Sequence, residues 1–253
     1  MTSARARRLA GRAAVVFGAS RGIGKGIALA LAAEGAHVTV AARREGDRQF
    51  PGQVEETVAE IRAAGGAAEA AYCDISDSTD VAAAVRGVAE RSGRIDIADN
   101  SAVFINYDKM LEIDDATWRR GFEINVHGAF FLTREAAKVM IPQGGGHIIH
   151  LTGSGARDVG VVNELTGASK AALERLVRGA AEELRPHKIA VNLFDPGGVK
   201  TERATVLRRS NIDWSRFPTP ADVAPAAVHI ALQDPAAMTG QIYSYSQHVG
   251  GKS

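Results

Sequence analysis

Cysteine, net charge and long apolar runs are all scarce in this chain, and each scarcity excludes a class of protein. Of the 253 residues one is a cysteine, Cys73, which excludes a disulfide framework and a zinc site built from cysteines. The formal net charge is +1, and no apolar run approaches the roughly 20 residues of a membrane span. We therefore expect a cytoplasmic protein whose partners include neither nucleic acid nor membrane.

Repeats, low-complexity tracts and linkers are also missing from the sequence. The basic start, "MTSARARRLAGR", lacks the apolar core of a signal peptide, and we interpret residues 1–10 as a flexible tail. With 45% hydrophobic residues the chain can bury an ample core. These observations predict a single domain over residues 1–253.

What the sequence does contain is a regular alternation of short β-like runs and longer helical stretches. Several runs are almost continuously apolar, which is typical of strands covered on both faces. The alternation predicts an α/β fold with one Rossmann-type, doubly wound parallel sheet of about seven strands and helices on both faces. The expected strands are 13–17, 37–41, 68–73, 95–99, 147–152, 189–194 and 241–245. The expected helices are 22–34, 53–64, 77–92, 115–140, 164–186 and 221–232.

The segment "VVFGASRGIGKGIALAL" joins the first strand to the first helix and contains Gly18, Gly22 and Gly24. Glycine permits a tight turn and a close approach of phosphate to the backbone. The start of the helix then offers free N–H groups to that phosphate. In this strand–turn–helix context the spacing predicts dinucleotide binding.

The end of the second strand, "VAARRE", indicates which dinucleotide binds. Ala42 stands where a carboxylate would hold the ribose 2′-hydroxyl of NAD, and Arg43 and Arg44 follow it. Arg21 adds a third guanidinium from the phosphate loop. Arginines without an acid favour the additional 2′-phosphate of NADP(H).

Five segments, in order and at family spacing, resemble the short-chain dehydrogenase/reductase family over nearly the whole chain. They are "GASRGIG" from Gly18, "CDISD" from Cys73, "NSAV" from Asn100, "NVHG" from Asn125 and "DPGGVKTE" from Asp195. The resemblance implies the strand order 3-2-1-4-5-6-7 and an oxidoreductase that uses a nicotinamide cofactor. The long stretch after the second strand is similar to the hydroxysteroid-dehydrogenase-like branch of the family.

The same resemblance implies the roles of individual residues. Asp74 and Ile75 would contact the adenine, and the loop after the sixth strand would border the nicotinamide. Asn125 and Lys170 match two of the family's four catalytic residues, and Lys170 would also hold the nicotinamide ribose. The full cofactor-binding set is Gly18, Ser20, Arg21, Gly22, Ile23, Gly24, Arg43, Arg44, Asp74, Ile75, Asn100, Ala102, Lys170, Pro196, Gly197, Val199 and Thr201.

The departures from the family pattern lie around the reaction centre. Thr166, in "LTGASKAALERL", stands where the family has its catalytic tyrosine, four residues before Lys170. Gly153 stands at the position of the catalytic serine, and Ser154 is one residue away. Three further substitutions are those at Phe17, Ser101 and Val103.

Loss of the tyrosine removes the residue that exchanges a proton with the substrate oxygen. A threonine hydroxyl is far less acidic than a phenol, whose pKa is near ~10, and its side chain is shorter. Because general acid–base catalysis contributes ~10²–10⁴-fold, reduction of an ordinary ketone should be crippled. The substrate could instead be more electrophilic, another residue could supply the proton, or the fold could have abandoned hydride transfer.

Three side chains are candidates for a replacement proton donor. Ser154 is nearest the empty serine position, Asp99 ends the fourth strand, and Tyr107 follows that strand. Burial would raise the pKa of Asp99, although a carboxylate bonded to backbone is the alternative interpretation. His150 has the wrong strand parity to face the Gly153 position. The histidines lack metal-ligand spacing, so we expect no metal.

Residues 202–220 follow the predicted nicotinamide loop and correspond to a variable, substrate-covering region of the family. Their apolar side chains could line a pocket, or they could belong to an amphipathic surface helix. These side chains are Leu207, Ile212, Trp214 and Phe217.

The resemblance also implies a homodimer or homotetramer, since two helices of relatives pair across a two-fold axis. We expect small residues on these helices to permit close approach. They are Gly128, Ala129, Ala171, Ala172, Gly179 and Ala180.

Together these observations favour an NADP(H)-dependent oxidoreductase acting on a small organic substrate, such as an activated carbonyl, an imine or an enone. Asn125 and Lys170 would organise cofactor and water, and Ser154 and Thr166 would supply hydroxyls. A non-redox cyclase, dehydratase or isomerase on the same scaffold is the alternative. A cofactor-binding protein without turnover is a third possibility.

Overall fold

The seven predicted strands lie in one parallel sheet, which confirms the predicted fold class. They are β1 Ala13–Phe17, β2 His37–Ala42, β3 Ala67–Tyr72, β4 Ile97–Asn100, β5 Gly146–Leu151, β6 Ile189–Asp195 and β7 Ile242–Ser244. Their order is β3-β2-β1-β4-β5-β6-β7. The computed structural model describes residues 7–44, 53–158, 164–207 and 212–246.

Helices cover both faces of the sheet. The described helices are α1 Gly22–Ala33, α2 Val54–Ala63, α3 Ser78–Ser92, α4 Asp115–Phe122, α5 Gly128–Gln143, α6 Glu164–Leu184, α7 Glu202–Leu207, α8 Pro220–Val223 and α9 Pro225–Ala231. Helix α3 shows why the boundaries fall where they do. The Asp77 side chain accepts from the Thr79 and Asp80 amides at its start, and Gly93 ends it with φ 68°. In the described part of the chain no helix has both the length and the apolar composition to cross a membrane.

Two predicted helices are divided in the structure. The helix expected over 115–140 consists of α4 and α5, joined by a π-helical turn at Glu123–His127. The side chain of Asn125, in the middle of that turn, binds the backbone of Phe104 and thereby stabilises the irregular hydrogen bonding. The helix expected over 221–232 breaks between α8 and α9, because Pro225 has no N–H to continue the hydrogen-bond ladder.

The two faces of the sheet have separate cores, and this fixes where each strand residue points. Val16 packs with α1, α2, α8 and α9, whereas its neighbours Val15 and Phe17 pack with α3, α5 and α6. Val16 lies opposite Asp99 of β4, which lies opposite Ile149 of β5. The side chain of Asp99 therefore faces α1, on the opposite side of the sheet from α6.

The strand order reverses between β1 and β4, which lie side by side. Chain segments that leave the carboxyl ends of these two strands turn to opposite sides and leave a crevice. The residues after Phe17 and after Asn100 form the two sides of that crevice.

Candidate active site

A cleft of about 220 Å³ lies at this reversal point. It extends from the end of β2, past the phosphate loop, to Leu151 at the end of β5. Its walls are formed by Phe17, Gly18, Ser20, Arg21, Gly22, Ile23, Gly24, Ala42, Arg43, Cys73, Asp74, Ile75, Ser101, Ala102, Val103, Ile105, Tyr107, Ile124, Leu151, Thr201, Glu202, Arg203 and Ala204. Many of the residues expected to bind the cofactor therefore share one cavity.

The glycines of the phosphate loop are required by close backbone contacts. A Cβ on Gly18 would lie 2.5 Å from the Ala102 nitrogen, and φ at Gly18 is +73°. A Cβ on Gly24 would lie 2.4 Å from the Gly18 carbonyl oxygen. The side chain of Arg21 does not cap α1, and the first residues of the helix line the cleft, so their amides are available to a phosphate there.

Arg43 and Arg44, both expected to bind phosphate, are placed differently. Arg43 is exposed on the cleft wall beside Ala42. The guanidinium carbon of Arg44 lies 3.8 Å from the centroid of the Tyr72 ring, on the neighbouring strand. Of the two, Arg43 is the one that borders the cleft.

Asp74 and Ile75 line the cleft, and an ion pair fixes the Asp74 carboxylate. The Ser76 hydroxyl donates to one of its oxygens at 2.6 Å, and Arg120 of α4 donates to the other at 3.0 Å. Burial raises the pKa of Asp74, but the Ser76 and Arg120 hydrogen bonds outweigh it and leave the pKa lowered. Asp74 is therefore a carboxylate at neutral pH.

Of the remaining expected cofactor ligands Thr201 lines the cleft, whereas Asn100, Pro196, Gly197 and Val199 are not part of its described lining. Asn100 is buried at the end of β4, next to Phe17 in the register. Thr201 lies on the cleft wall, whereas Pro196 and Val199 are buried behind it. The Gly197 amide donates to Asp195 at 3.0 Å, which fixes the start of this loop.

The side-chain amide of Asn125, at the π-helical turn, uses both its nitrogen and its oxygen in hydrogen bonds. Its Nδ2 donates to the Phe104 carbonyl and to the Ser169 hydroxyl, both at 2.9 Å. Its Oδ1 accepts from the Phe104 amide at 2.8 Å. This side chain ties the segment after β4 to α6.

Thr166, at the position of the missing tyrosine, is bonded to the same segment. Its hydroxyl accepts from the Asn106 amide at 3.1 Å and lies 3.3 Å from the Asn106 carbonyl oxygen. Thr166 is 8% exposed. The Thr166 hydroxyl therefore contacts backbone, and it holds residues 104–106 next to the start of α6.

Gly153 and Ser154 occupy the turn after β5. Gly153 is extended, with φ −169°, and a Cβ there would meet nothing within 4 Å. Ser154 is exposed, and its carbonyl accepts from the amides of Arg157 and Asp158 at 2.8 Å each. The position of the absent serine therefore has room for a side chain.

Lys170 is buried, 6% exposed, and its Nζ donates at 2.6 Å to the carbonyl of Leu151, which lines the end of the cleft. Burial lowers the pKa of Lys170 to about 8, and Glu174 partly opposes this shift. Within the described residues Leu151 is the hydrogen-bond partner of this ammonium group. Lys170 therefore has N–H groups to offer a ligand.

A network of charged residues behind Lys170 was not predicted from the sequence. Arg157 pairs with both Glu174 of α6 and Asp195 of β6, and the Thr152 hydroxyl donates to Glu174 at 2.9 Å. It ties together the turn after β5, helix α6 and the loop after β6. Glu174, four residues after Lys170 on the same helix face, was the one available signal.

Asp99, a candidate replacement donor, and His150, which strand parity argued against, are both fully buried. Asp99 is fully buried on the α1 face, where Ser101 donates to it at 2.6 Å, and burial raises its pKa to about 7. His150 lies on the other face, 2.9 Å from the Thr133 hydroxyl, and burial lowers its pKa to about 3. Tyr107 does line the cleft. Across the described ranges no group of three His, Cys, Asp or Glu side chains is arranged as metal ligands.

The substrate-covering segment contributes its first residues to the cleft. Glu202, Arg203 and Ala204 are on the wall, and Arg203 reaches the Ile105 carbonyl at 3.4 Å. Trp214 and Phe217 instead pack against each other, with ring centroids 5.1 Å apart. They are absent from the described lining of the cleft, and the side chain of Leu207 lies outside the described residues.

The expectation that Gly128 and Ala129 lie at a subunit interface is wrong. A Cβ on Gly128 would lie 2.8 Å from Ile75 within the chain, and Ala129 is fully buried. Both residues are small because α5 lies close to the sheet and to the loop that follows β3. Ala171 of α6 is exposed, and Ala172, Gly179 and Ala180 are half-buried.

The comparison with known proteins agrees with this geometry. The family described as enoyl-(acyl carrier protein) reductase matches residues 18–246. Galactitol 2-dehydrogenase from Agrobacterium fabrum is 32% identical over 94% of this chain and 96% of its own length. The 7alpha-hydroxysteroid dehydrogenase of Escherichia coli is 31% identical, with 94% of each chain covered.

A solved structure extends the likeness to the fold. A protein assigned as an NAD(P)-dependent gluconate 5-dehydrogenase from Beutenbergia cavernae, with NADP bound at low occupancy, superposes with a TM-score of 0.81. It is 32% identical, with 94% of this chain and 96% of that chain covered. The chain belongs to the short-chain dehydrogenase/reductase family, and these dehydrogenase relatives support a general oxidoreductase function.

Proposed function

We propose that this protein is a cytoplasmic, NADP(H)-dependent oxidoreductase that transfers hydride to or from a small organic substrate. The observation that carries the proposal is the continuous cleft, which extends from Arg43 to Leu151. The carbonyl of Leu151 accepts a hydrogen bond from the Lys170 ammonium group. A dinucleotide extended along that cleft would place its phosphates at the start of α1 and its nicotinamide end near Lys170. The bound cofactor would supply the hydride.

The residues of the chain would bind and orient the reactants. Lys170 would donate to the nicotinamide ribose, and Asn125 would hold residues 104–106 at the wall of the substrate site. The hydrogen bonds between Thr166 and Asn106 support a positioning role for Thr166 in the same segment. Ser154 remains a candidate to supply a hydroxyl from the exposed turn after β5.

Substrates that need little acid assistance fit this site best. The side chain at position 166 is a threonine whose hydroxyl is bonded to backbone, so it is poorly placed to protonate a substrate oxygen. We propose an activated carbonyl, an imine or an enone as the substrate class. The test is to incubate the protein with NADPH and matched ketones, imines and enones while cofactor oxidation is followed. Oxidation with the electrophilic compounds supports the proposal.

A non-redox activity, such as that of a cyclase, dehydratase or isomerase, is the second candidate. The observation that favours it is the contact between the Thr166 hydroxyl and the Asn106 backbone. This backbone lies where the ring of the missing tyrosine would be. Product formed without net change in the cofactor would establish this alternative. Tight NADPH binding with no reaction of any compound would instead indicate a protein without turnover.

NADPH should bind at least about tenfold more tightly than NADH, a difference of ~1.4 kcal/mol, because Arg21 and Arg43 face the cleft and Ala42 adds no charge. Arg43→Ala should remove most of that preference. Arg44→Ala should remove less of it, because the Arg44 guanidinium stacks on Tyr72. Calorimetric titration of the three proteins with both cofactors measures the effect. Equal affinity of the parent protein for NADPH and NADH would overturn the assignment.

We further propose that the protein forms a homodimer or homotetramer. Three large apolar side chains on α4 and α5 are exposed: Trp118 at 40%, Phe130 at 44% and Ile141 at 41%. Phe130→Glu should lower the mass measured by light scattering at micromolar concentration to that of a smaller species. Arg86→Glu, on the exposed face of α3, is the matched control and should leave the mass unchanged. A monomeric mass for the parent protein would reject the proposal.

A further inference from the structure

The Asp99 carboxyl group is fully buried on the α1 face of the sheet, and one of its two oxygens has a partner. The Ser101 hydroxyl lies 2.6 Å from Oδ1. Among the described residues Oδ2 has no hydrogen-bond partner. A buried carboxylate is costly when its charge is only half satisfied, so this site favours the neutral acid.

The surroundings of Asp99 offer its charge little compensation. Val16 and Ile149 flank it in the sheet, and apolar residues of α1, α2, α8 and α9 pack on the same face. The ionisable side chains that these helices and the segment from β7 bring to this side are half-buried or exposed: Arg21, Lys25, Glu55, Glu56, Glu60, Arg62, Asp222, His229, Tyr243 and Tyr245. Burial accordingly raises the pKa of Asp99 to about 7, and the Ser101 hydrogen bond opposes part of this shift.

Ser101 connects this buried acid to the cleft. It is part of the cleft wall, and its amide donates to the Phe17 carbonyl at 3.0 Å, where the phosphate loop begins. A Cβ on Gly24 would lie 2.9 Å from the Cβ of Ser101, so Ser101 packs against the first turn of α1. A dinucleotide whose phosphates lie at the start of α1 would therefore pass beside Ser101.

The direction of the hydrogen bond between Asp99 and Ser101 depends on one proton. An ionised Asp99 can only accept, so the Ser101 hydroxyl must donate its single hydrogen to Oδ1. A protonated Asp99 can itself donate to Ser101 Oγ, and the Ser101 hydrogen then becomes available to another acceptor. The phosphate and ribose oxygens of a dinucleotide are such acceptors.

We propose that Asp99 and Ser101 form a proton-linked binding element for the dinucleotide, an inference that rests on the proposed cofactor-dependent function. At a pH where Asp99 is ionised, the protein takes up a proton from solvent as the cofactor binds. The proton goes to Asp99, and the Ser101 hydroxyl turns from Asp99 to a cofactor oxygen. Protonation also removes a buried negative charge next to the phosphates. Asp99 is a positioning residue that acts through Ser101, and cofactor affinity decreases as the pH rises.

The first test measures proton uptake with NADH, because the 2′-phosphate of NADPH itself titrates, as phosphate monoesters do, near pH ~6. Calorimetric titration at pH 7.5 in two buffers of different ionisation enthalpy should show uptake of roughly half a proton or more per bound NADH. Between pH 6 and pH 8 the affinity for NADH should fall roughly fivefold to tenfold. An affinity that is constant over this range, without proton uptake, would overturn the proposal.

Asp99→Asn separates the effect of the proton from that of the side chain's shape. Asparagine has no charge and can donate to Ser101 Oγ as the protonated acid does. Because Lys170 also titrates near pH 8, the difference between this variant and the parent is the decisive quantity. The variant should lose most of the proton uptake and should bind NADH at pH 8 about as tightly as the parent does at pH 6. Uptake and affinity that follow pH as in the parent would reject the role of Asp99.

Two further variants complete the comparison. Ser101→Ala removes the hydrogen that is donated to the cofactor, so it should bind NADH several-fold more weakly than the parent at pH 6. Unchanged affinity there would exclude Ser101 as the connecting group. Asp115→Asn, at the exposed start of α4, is the control and should keep the proton uptake of the parent.

Melting temperatures show whether the variants are folded and report on the same carboxyl group. The pKa of Asp99 is raised in the folded protein to about 7 from 3.8, so the parent loses stability as the pH rises from about 4 to 7. Asp99→Asn should therefore melt higher than the parent at pH 8 and close to it at pH 4. Asp99→Val also lacks the charge and must lose the proton uptake even if the asparagine variant does not fold. Failure of both NADH and NADPH to bind the parent at any pH would overturn the cofactor-dependent function itself, whereas binding without proton uptake would overturn this inference alone.

Discussion

Lys170→Met should weaken NADPH binding by about tenfold or more, because a hydrogen bond from a charged group to the nicotinamide ribose contributes about 1.5–3 kcal/mol, and should at the same time stabilise the cofactor-free protein. Methionine is similar in length and removes a buried charge that has no direct ion pair among the described residues. The gain in stability should depend on pH. The pKa of Lys170 is lowered in the folded protein to about 8 from 10.5, so the cost of burying the charge is fully present below pH 8. It is relieved as the pH rises from about 8 towards 10.5.

Melting temperatures of the parent and the Lys170→Met protein, measured from pH 6 to pH 10, test this expectation. The variant should be more stable below pH 8, and the difference should shrink at higher pH. A variant that is less stable at pH 7 would contradict it, because the Leu151 hydrogen bond would then outweigh the cost of burial. Lys138→Met, on the exposed face of α5, controls for the loss of a lysine in general.

The paired change Gly153→Ser and Thr166→Tyr should raise the reduction of ordinary ketones by tenfold or more, since ~10²–10⁴-fold is the full effect of a positioned acid. The serine fits without displacement, because nothing lies within 4 Å of a Cβ on Gly153. The tyrosine must displace the backbone of Asn106, which is bonded to the Thr166 hydroxyl. We therefore expect the gain in activity to be accompanied by a lower melting temperature.

Gly153→Ser alone is the control for the double variant. It should keep the melting temperature of the parent protein and should gain no ketone reduction. A double variant that folds as well as the parent, binds NADPH and reduces no ketone would show that the surrounding pocket, and not the lost tyrosine, limits the chemistry. That outcome would favour the non-redox alternative.

The fold could be predicted closely because its signals are local. Strand β1 begins and ends where its apolar run does, and α1 begins at Gly22 as the glycine spacing indicates. Strand β4 is displaced from the predicted 95–99 to Ile97–Asn100. The reason is long-range: Asp96 precedes the strand and is held by Arg12, Arg94 and the Ala13 amide.

The features that escaped prediction all depend on contacts between distant segments. The π-helical turn at Glu123–His127 contains Asn125, whose side chain bonds to the Phe104 backbone 21 residues earlier in the chain. Arg157, Glu174 and Asp195 meet only because the middle of α6 packs against the carboxyl ends of β5 and β6. The hydrogen bond from the Asn106 amide to the Thr166 hydroxyl also joins distant segments. The sequence shows that threonine stands in place of the family's tyrosine, but it does not show this contact.

Transfer of a labelled hydride is the most direct test of the central proposal, that this site performs redox chemistry without the tyrosine. The protein would be incubated with NADPH carrying deuterium at the transferred position, together with an imine, an enone and a quinone. We expect the deuterium to appear on the product carbon in proportion to the NADP formed. Product that carries no deuterium, or NADPH that binds tightly and is never oxidised, would contradict the account.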